Sequence, residues 1–172
     1  MQPYIANAMQ LGVVTGQRLT DIANMQFRDI QDSYLHVRQQ KHGAMLRLSL
    51  KSKIDVLGVS LGDIVAHCRD RVVSRHLIHH TRNWNSARAG EAVHPDSISE
   101  GFRRARNVAG LKQDGKPPPF HELRSLAGRL YDKQDGISAQ SVLGHKDPAT
   151  TARYILTRAA LRDFSRVVLR KF

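Results

Sequence analysis

From residue 3 the chain strings apolar and small residues together as "PYIANAMQLGVV", with Pro3 early and Gly16 just past the end. Proline suits a first helical turn and glycine a helix end, so the pattern predicts a helix over 3–14. "LTDIANMQ" predicts a second, short helix with Thr20 as its cap. The period then changes. In "YLHVRQQKHGAMLRLSL", Leu35 and Val37 alternate with polar residues, as do Leu46, Leu48 and Leu50, and "KHGA" supplies a turn between them. That is the pattern of a β-hairpin with one buried face.

Helical spacing returns after Ser60, which caps "LGDIVAHCRDRVV" and places Ile64, Val65, Cys68 and Val72 on one face. "RHLIHH" reads as a short β-like run or connector, and "NWNSARAGEAVHPD" as a polar loop. Ser97 and Glu100 have the spacing of a capping box and open a helix to about Ala109, which Gly110 ends. "KQDGKPPP" is a loop of helix breakers. From Phe120 helix resumes in "HELRSLAGRLYDKQ". Three short segments follow: "SAQSVLG", "DPATTARYI" with Asp147 as cap and Pro148 in the first turn, and "ALRDFSRVVL". The expected fold class is α+β, mainly helical with a small antiparallel sheet.

Composition adds bounds to this pattern. A chain of 172 residues is expected to form one domain that buries roughly two-thirds of its unfolded surface, without a disulfide or metal staple. Cys68 is the only cysteine, which excludes an internal disulfide and a cysteine-based zinc cluster; in the apolar run "DIVAHC" it is expected to be buried. No apolar run approaches the roughly 18 residues of a membrane span, and no signal-peptide pattern opens the chain, so a soluble cytoplasmic protein is expected. Charge narrows the function. Twenty-seven Lys and Arg against fifteen Asp and Glu give a net charge of +12, spread along the whole chain. A folded domain with that excess is expected to meet a polyanion, nucleic acid first. A membrane surface fits less well, because no helix pairs a Lys/Arg face with a strong apolar face bearing Trp or Phe.

Several residues then stand out as candidate chemistry. His121 and Arg124 are three apart in "FHELRSLAGRL" and share a helical face, with Leu123, Leu126, Ala127 and Leu130 roughly opposite. They are expected to point outward together, with Gly128 offering no side chain to block a ligand. Such a pair suits a phosphate, since Arg gives a planar fork of donors and His a further donor or a base. Zinc-protease chemistry is excluded at "HELRS" because Ser125 stands where a second histidine is needed. Arg18 follows a helix-ending glycine where the next helix begins, and Lys41 sits at the hairpin tip. His76, His79 and His80 could suggest a metal, but no acidic residue or cysteine is evidently placed to complete a site. His145 in "LGHKDP" and Tyr154 in "ATTARYILTR" complete the set. Taken singly, each has an ordinary structural explanation.

Their order does not. An early Arg, a hairpin Lys, His-x-x-Arg, His in "LGHK" and a Tyr nine residues on resemble the tyrosine recombinases, most closely the lambda-type phage integrases. "GVVTGQRLTDI", the "KHG" turn, "FHELRSLAGRLY" and "VLGHKDPATTARY" carry the resemblance, from about residue 8 to 156. It implies a tyrosine-recombinase catalytic domain with Arg18, Lys41, His121, Arg124, His145 and Tyr154 as the catalytic set. Tyr154 would attack the scissile phosphate of double-stranded DNA at an attachment-type site, giving a 3′-phosphotyrosyl link and a free 5′-hydroxyl. Arg18 and Arg124 would clamp the non-bridging oxygens, Lys41 protonate the leaving oxygen, His121 assist proton transfer and His145 hydrogen-bond the phosphate. No metal, ATP or other cofactor is implied.

The resemblance also implies a homotetramer in the synaptic complex, host DNA-bending proteins as helpers, and work at the bacterial nucleoid. By the resemblance, family members carry an N-terminal core-binding domain, which this chain is expected to lack. The expectation is therefore a single catalytic domain over 1–172 with weak DNA affinity of its own, whether a monomer or not in isolation. Residues 157–172 resemble a tail that packs onto a neighbouring protomer, with Val167, Val168 and Leu169 as an exchanging strand or a continued helix. Two other readings stay open: DNA relaxation of the type IB topoisomerase kind, with the same residue set, and a DNA-binding remnant that no longer cuts.

Overall fold

The computed structural model describes residues 2–41, 43–110, 117–134, 136 and 138–156, with positions 153, 154 and 156 described by backbone alone. The helix α1 (Pro3–Thr15) forms the centre. Ile5, Ala8, Leu11, Val13 and Val14 are all buried, because three later helices, α3 (Leu61–Cys68), α4 (Pro95–Val108) and α5 (Glu122–Asp132), pack against it. Two glycines permit that crowding. A methyl group on Gly101 of α4 (Pro95–Val108) would strike the Ile5 side chain, and one on Gly12 would press on Leu123 of α5 (Glu122–Asp132) at 3.3 Å. The Tyr131 hydroxyl donates to the Val14 carbonyl (2.6 Å), fastening α5 to α1, and burial pushes its pKa well above the ordinary 10.

After α1, Gly16 adopts a left-handed conformation (φ 62°), and α2 (Leu19–Asn24) begins with Arg18 rather than Thr20 at its cap. Thr20 lies inside the helix, where its carbonyl accepts from Asn24. The sheet has three antiparallel strands in the order β1 (Ile30–Gln31), β2 (Tyr34–Arg38), β3 (Met45–Ser49). The hairpin was expected; β1, only two residues long, is too short to show an alternation. Asp32 and Ser33, both at positive φ, make the two-residue turn that joins it to β2. Leu35 pairs with Leu48 and Val37 with Leu46, so the alternating positions line one face.

Ser60 caps α3 (Leu61–Cys68) through a reciprocal pair with Asp63, as expected, but the helix stops at Cys68 and leaves Val72 outside it. Cys68 is buried, and loss of hydration pushes its thiol pKa up to about 12. That makes it inert packing. His94, with Pro95 next in the first turn, caps α4; Ser97 and Glu100 therefore lie within the helix, and Glu100 pairs with Arg103 (2.7 Å). The chain continues through α6 (Ala139–Leu143) to α7 (Pro148–Leu156), where Asp147 takes the first-turn hydrogen bonds as expected. The segments "ALRDFSRVVL" and 157–172 lie outside the described residues, as does most of "KQDGKPPP". The architecture is the expected mainly helical α+β class with a small antiparallel sheet.

Gly16 tests the backbone account. A side chain there would meet Leu143 Cδ2 at 2.7 Å, whereas one at Gly43, also left-handed, meets nothing within 4 Å. Alanine at either position carries the left-handed penalty of about 1–2 kcal/mol, and only Gly16 adds the clash. Thermal melting should show Gly16→Ala more destabilised than Gly43→Ala; equal melting temperatures would refute the contact.

Candidate active site

Arg124 does not face outward with His121. Its place on α5 is in step with Ala127 and Tyr131, three and seven residues on, so it shares their buried stripe. Only 1% of Arg124 is exposed, while His121, at the helix start, is exposed. A buried guanidinium needs acceptors to replace water. Arg124 finds them in main-chain carbonyls: Nη1 donates to Gly16 O (2.6 Å) and Nη2 to Leu143 O (2.7 Å). The expected shared face is thus corrected, because the packing of α1 and α6 supplies polar partners inside the stripe.

Arg124 Nη2 also meets His145 Nε2 at 2.9 Å. A guanidinium only donates, so His145 Nε2 accepts and the imidazole proton sits on Nδ1. There it donates to Thr151 Oγ1 (3.0 Å), a buried hydroxyl on α7. His145 follows Gly144, which ends α6 in a left-handed turn (φ 65°), and its main chain is held at both ends by Gln140. Tyr154 stands on α7 three residues beyond Thr151; its side chain lies outside the described residues.

Arg18 is half-buried, and its Nη1 is shielded from solvent with no hydrogen-bond partner among the described residues. Such a donor suits an anionic ligand. Lys41 is exposed on the hairpin turn, which closes by Gln39 N–H to Ala44 O and Gly43 N–H to Gln39 O (both 2.8 Å). His121 lies within electrostatic reach of these cations. Its pKa falls below the ordinary 6.5 through loss of hydration first, then through the positive charges of Arg124, Arg18 and Lys41, with Glu122 opposing. Four candidate residues therefore share one electropositive field, and His145 joins through its bond to Arg124.

Three further residues hold this site and escaped the sequence reading. Gln17 and Gln39 are buried and bonded to each other at 2.7 Å, and Thr151 carries the link from His145 to α7. A signal existed for Gln39, which is in phase with Leu35 and Val37 on the inward face of the hairpin. Away from the site, His79 Nδ1 donates to His76 O (2.9 Å) and its Nε2 lies 3.2 Å from Asp70. Asp70 thus lies beside one histidine of this cluster, and no group of three or more metal-ligating side chains forms among the described residues.

Comparison with known proteins places these features in context. The model of the phage integrase family matches residues 2–160. The integrase of Enterobacteria phage P21 is 42% identical over 154 residues, covering 89% of this chain and 40% of that protein. A lambda integrase (75–356) dimer bound to a COC′ core site superposes with a TM-score of 0.83 at 38% identity, over 92% of this chain and 54% of that one. A lambda integrase tetramer bound to a Holliday junction gives 0.79 at 39% identity, over 88% of this chain and 42% of that one. The chain thus spans about 40% of the length of the curated phage P21 relative. With the family model matched over nearly all of its residues, the chain belongs to the phage integrase family.

Proposed function

We propose that this chain is the catalytic domain of a site-specific DNA recombinase that cuts and rejoins strands through a 3′-phosphotyrosyl intermediate. The observation that carries the reading is the shared field of Arg18, Lys41, His121 and Arg124, with His145 bonded to Arg124 and tied to the helix of Tyr154. Phosphoryl transfer without a metal needs positive charge on the non-bridging oxygens, a nucleophile and an acid for the leaving oxygen. Arg18, with an unsatisfied donor, and Arg124 supply the charge. The phenol of Tyr154 gives its proton to His121 as its oxygen attacks phosphorus, the P–O5′ bond breaks, and the departing oxygen takes a proton from the Lys41 ammonium. The phosphotyrosine conserves the bond energy, so a 5′-hydroxyl of another duplex can reverse the step and exchange strands.

His121 is suited to proton transfer because loss of hydration and the neighbouring cations favour its neutral, proton-accepting form. His145, with Nε2 accepting from Arg124, can donate to a phosphate oxygen only once that nitrogen carries a proton, which requires Arg124 Nη2 to turn away from it. Membership of the phage integrase family supports joining of two sites over relaxation of supercoils. Double-stranded DNA is the proposed partner, gripped through the net charge of +12, with a tetramer at synapsis in line with the lambda integrase tetramer on a Holliday junction. We place the work on DNA in the bacterial cytoplasm.

The test uses duplexes nicked beside a randomised site, so that the short 5′-hydroxyl fragment diffuses away after cleavage and traps the enzyme. A covalent adduct on a denaturing gel is expected, and Tyr154→Phe should abolish it. An adduct that survives Tyr154→Phe, or none from the unaltered chain, overturns the reading.

The field around His121 gives a pH prediction. Burial and neighbouring cations disfavour the imidazolium, so the folded pKa lies below the unfolded value near 6.5. Stability attached to His121 is therefore full above pH 6.5 and declines as pH falls from there through the folded pKa. In an NMR titration its midpoint should lie below 6.5, and Arg18→Ala, by removing a positive neighbour, should raise it. A midpoint at or above 6.5 contradicts the geometry.

A further inference from the structure

We infer that Gln39, braced by Gln17, is a positioning residue that sets the Lys41 hairpin against the frame carrying Arg18 and Arg124. The inference rests on the proposed role of Lys41 as acid for the leaving oxygen. A lysine at an exposed hairpin tip has no reason of its own to stay in one place, since loop tips open at little cost in free energy. The two residues before Lys41 remove that freedom. Gln39 Nε2 has two hydrogens, and both are used: one on Gln17 Oε1 (2.7 Å) and one on Leu143 O (2.9 Å). Gln40 N–H donates to Asp21 Oδ1 (2.9 Å), one turn along α2 from Arg18.

Each of these partners belongs to a catalytic segment. Gln17 precedes Arg18 directly, and its own Nε2 is fixed by Thr15 O (2.8 Å) and Val142 O (2.9 Å). Leu143 O is the same carbonyl that receives Arg124 Nη2 (2.7 Å), so one oxygen registers the hairpin against the guanidinium. Gly144 is shaped to this arrangement, for a side chain there would meet Gln39 Nε2 at 2.9 Å and Leu46 at 3.0 Å.

Stability does not explain the choice of residue. Gln39 is fully buried on the apolar face shared with Leu35 and Val37, and its Oε1 has no hydrogen-bond partner among the described residues. A buried amide with an unsatisfied oxygen costs free energy that an apolar side chain of the same shape avoids. What the amide supplies is a fixed distance between three chain segments.

The leaving group separates a positioning role from a structural one. A duplex with sulfur in place of the bridging 5′-oxygen leaves as a thiolate, which needs no proton because a thiol's pKa, about 8.5, lies far below an alcohol's. Gln39→Met keeps the shape and removes both hydrogen bonds. Displacing an acid by about an ångström costs on the order of a hundredfold in rate, so Gln39→Met should cut the ordinary nicked duplex on the order of tenfold to a hundredfold more slowly. It should cut the 5′-thio duplex at close to the unaltered rate, as should Lys41→Ala. Melting of Gln39→Met should remain cooperative. If that variant does not fold, Gln17→Met, which removes Gln39's side-chain acceptor and leaves Leu143 O in place, carries the same comparison with a smaller effect.

Equal slowing on both duplexes, or no slowing on either, overturns the inference. So does a Lys41→Ala variant that the sulfur substrate fails to rescue. If the unaltered chain forms no adduct on either duplex, it is the proposed function that fails, and the two failures are distinguished.

Discussion

The guanidinium of Arg124, stripped of water where α1, α5 and α6 meet, sets the terms for the rest of the structure. Removing one partner of a buried, paired charge typically costs about 3–5 kcal/mol, so the surrounding backbone must present acceptors and keep them in place. Gly16 O does this from 108 residues before Arg124 and Leu143 O from 19 residues after it. Each acceptor is beside or at a left-handed glycine: Gly16 itself, and Gly144 after Leu143. The chain turns sharply at both places, and in each case the turn aims a carbonyl inward.

From that junction the remaining groups take their positions. Gly16 leads through Gln17 to Arg18; Leu143 leads through Gly144 to His145; and His145 passes the connection through Thr151 to the helix that bears Tyr154. The hairpin joins through Gln39 on the same Leu143 carbonyl. Gathering cations this way costs electrostatic energy in the absence of an anion. The pKa of His121, lowered first by loss of hydration, is lowered further by these charges, and a phosphate entering the field offsets them.

Much of this was legible in the sequence, and most of the exceptions share a cause. Local signals worked where local physics decides: the glycine after α1, the Ser60 cap, the alternation of Leu35 and Val37, and Asp147 before Pro148. The order of the candidate residues also points to the family. Arg124 failed because helical spacing shows which residues share a face, while the carbonyls that make an inward arginine tolerable come from Gly16 and Leu143, far off in sequence. Gln17, Gln39 and Thr151 were missed for the same reason, since a buried polar residue looks like a surface one until its partners are known. The cap of α4 moved from Ser97 to His94 because Pro95 is itself suited to a first turn.

The central claim is that the fork of Arg124 holds α1, α5 and α6 in register, and the most direct test is thermal unfolding of Arg124→Lys. An ammonium keeps the charge but cannot span both carbonyls and His145 as the planar fork does. A loss of about 3 kcal/mol or more is expected, which for a chain of this size lowers the melting temperature by about 6–12 °C. Melting within about 1 °C of the unaltered chain would contradict the account, because it would mean that the charge alone, and not the fork, holds the junction together.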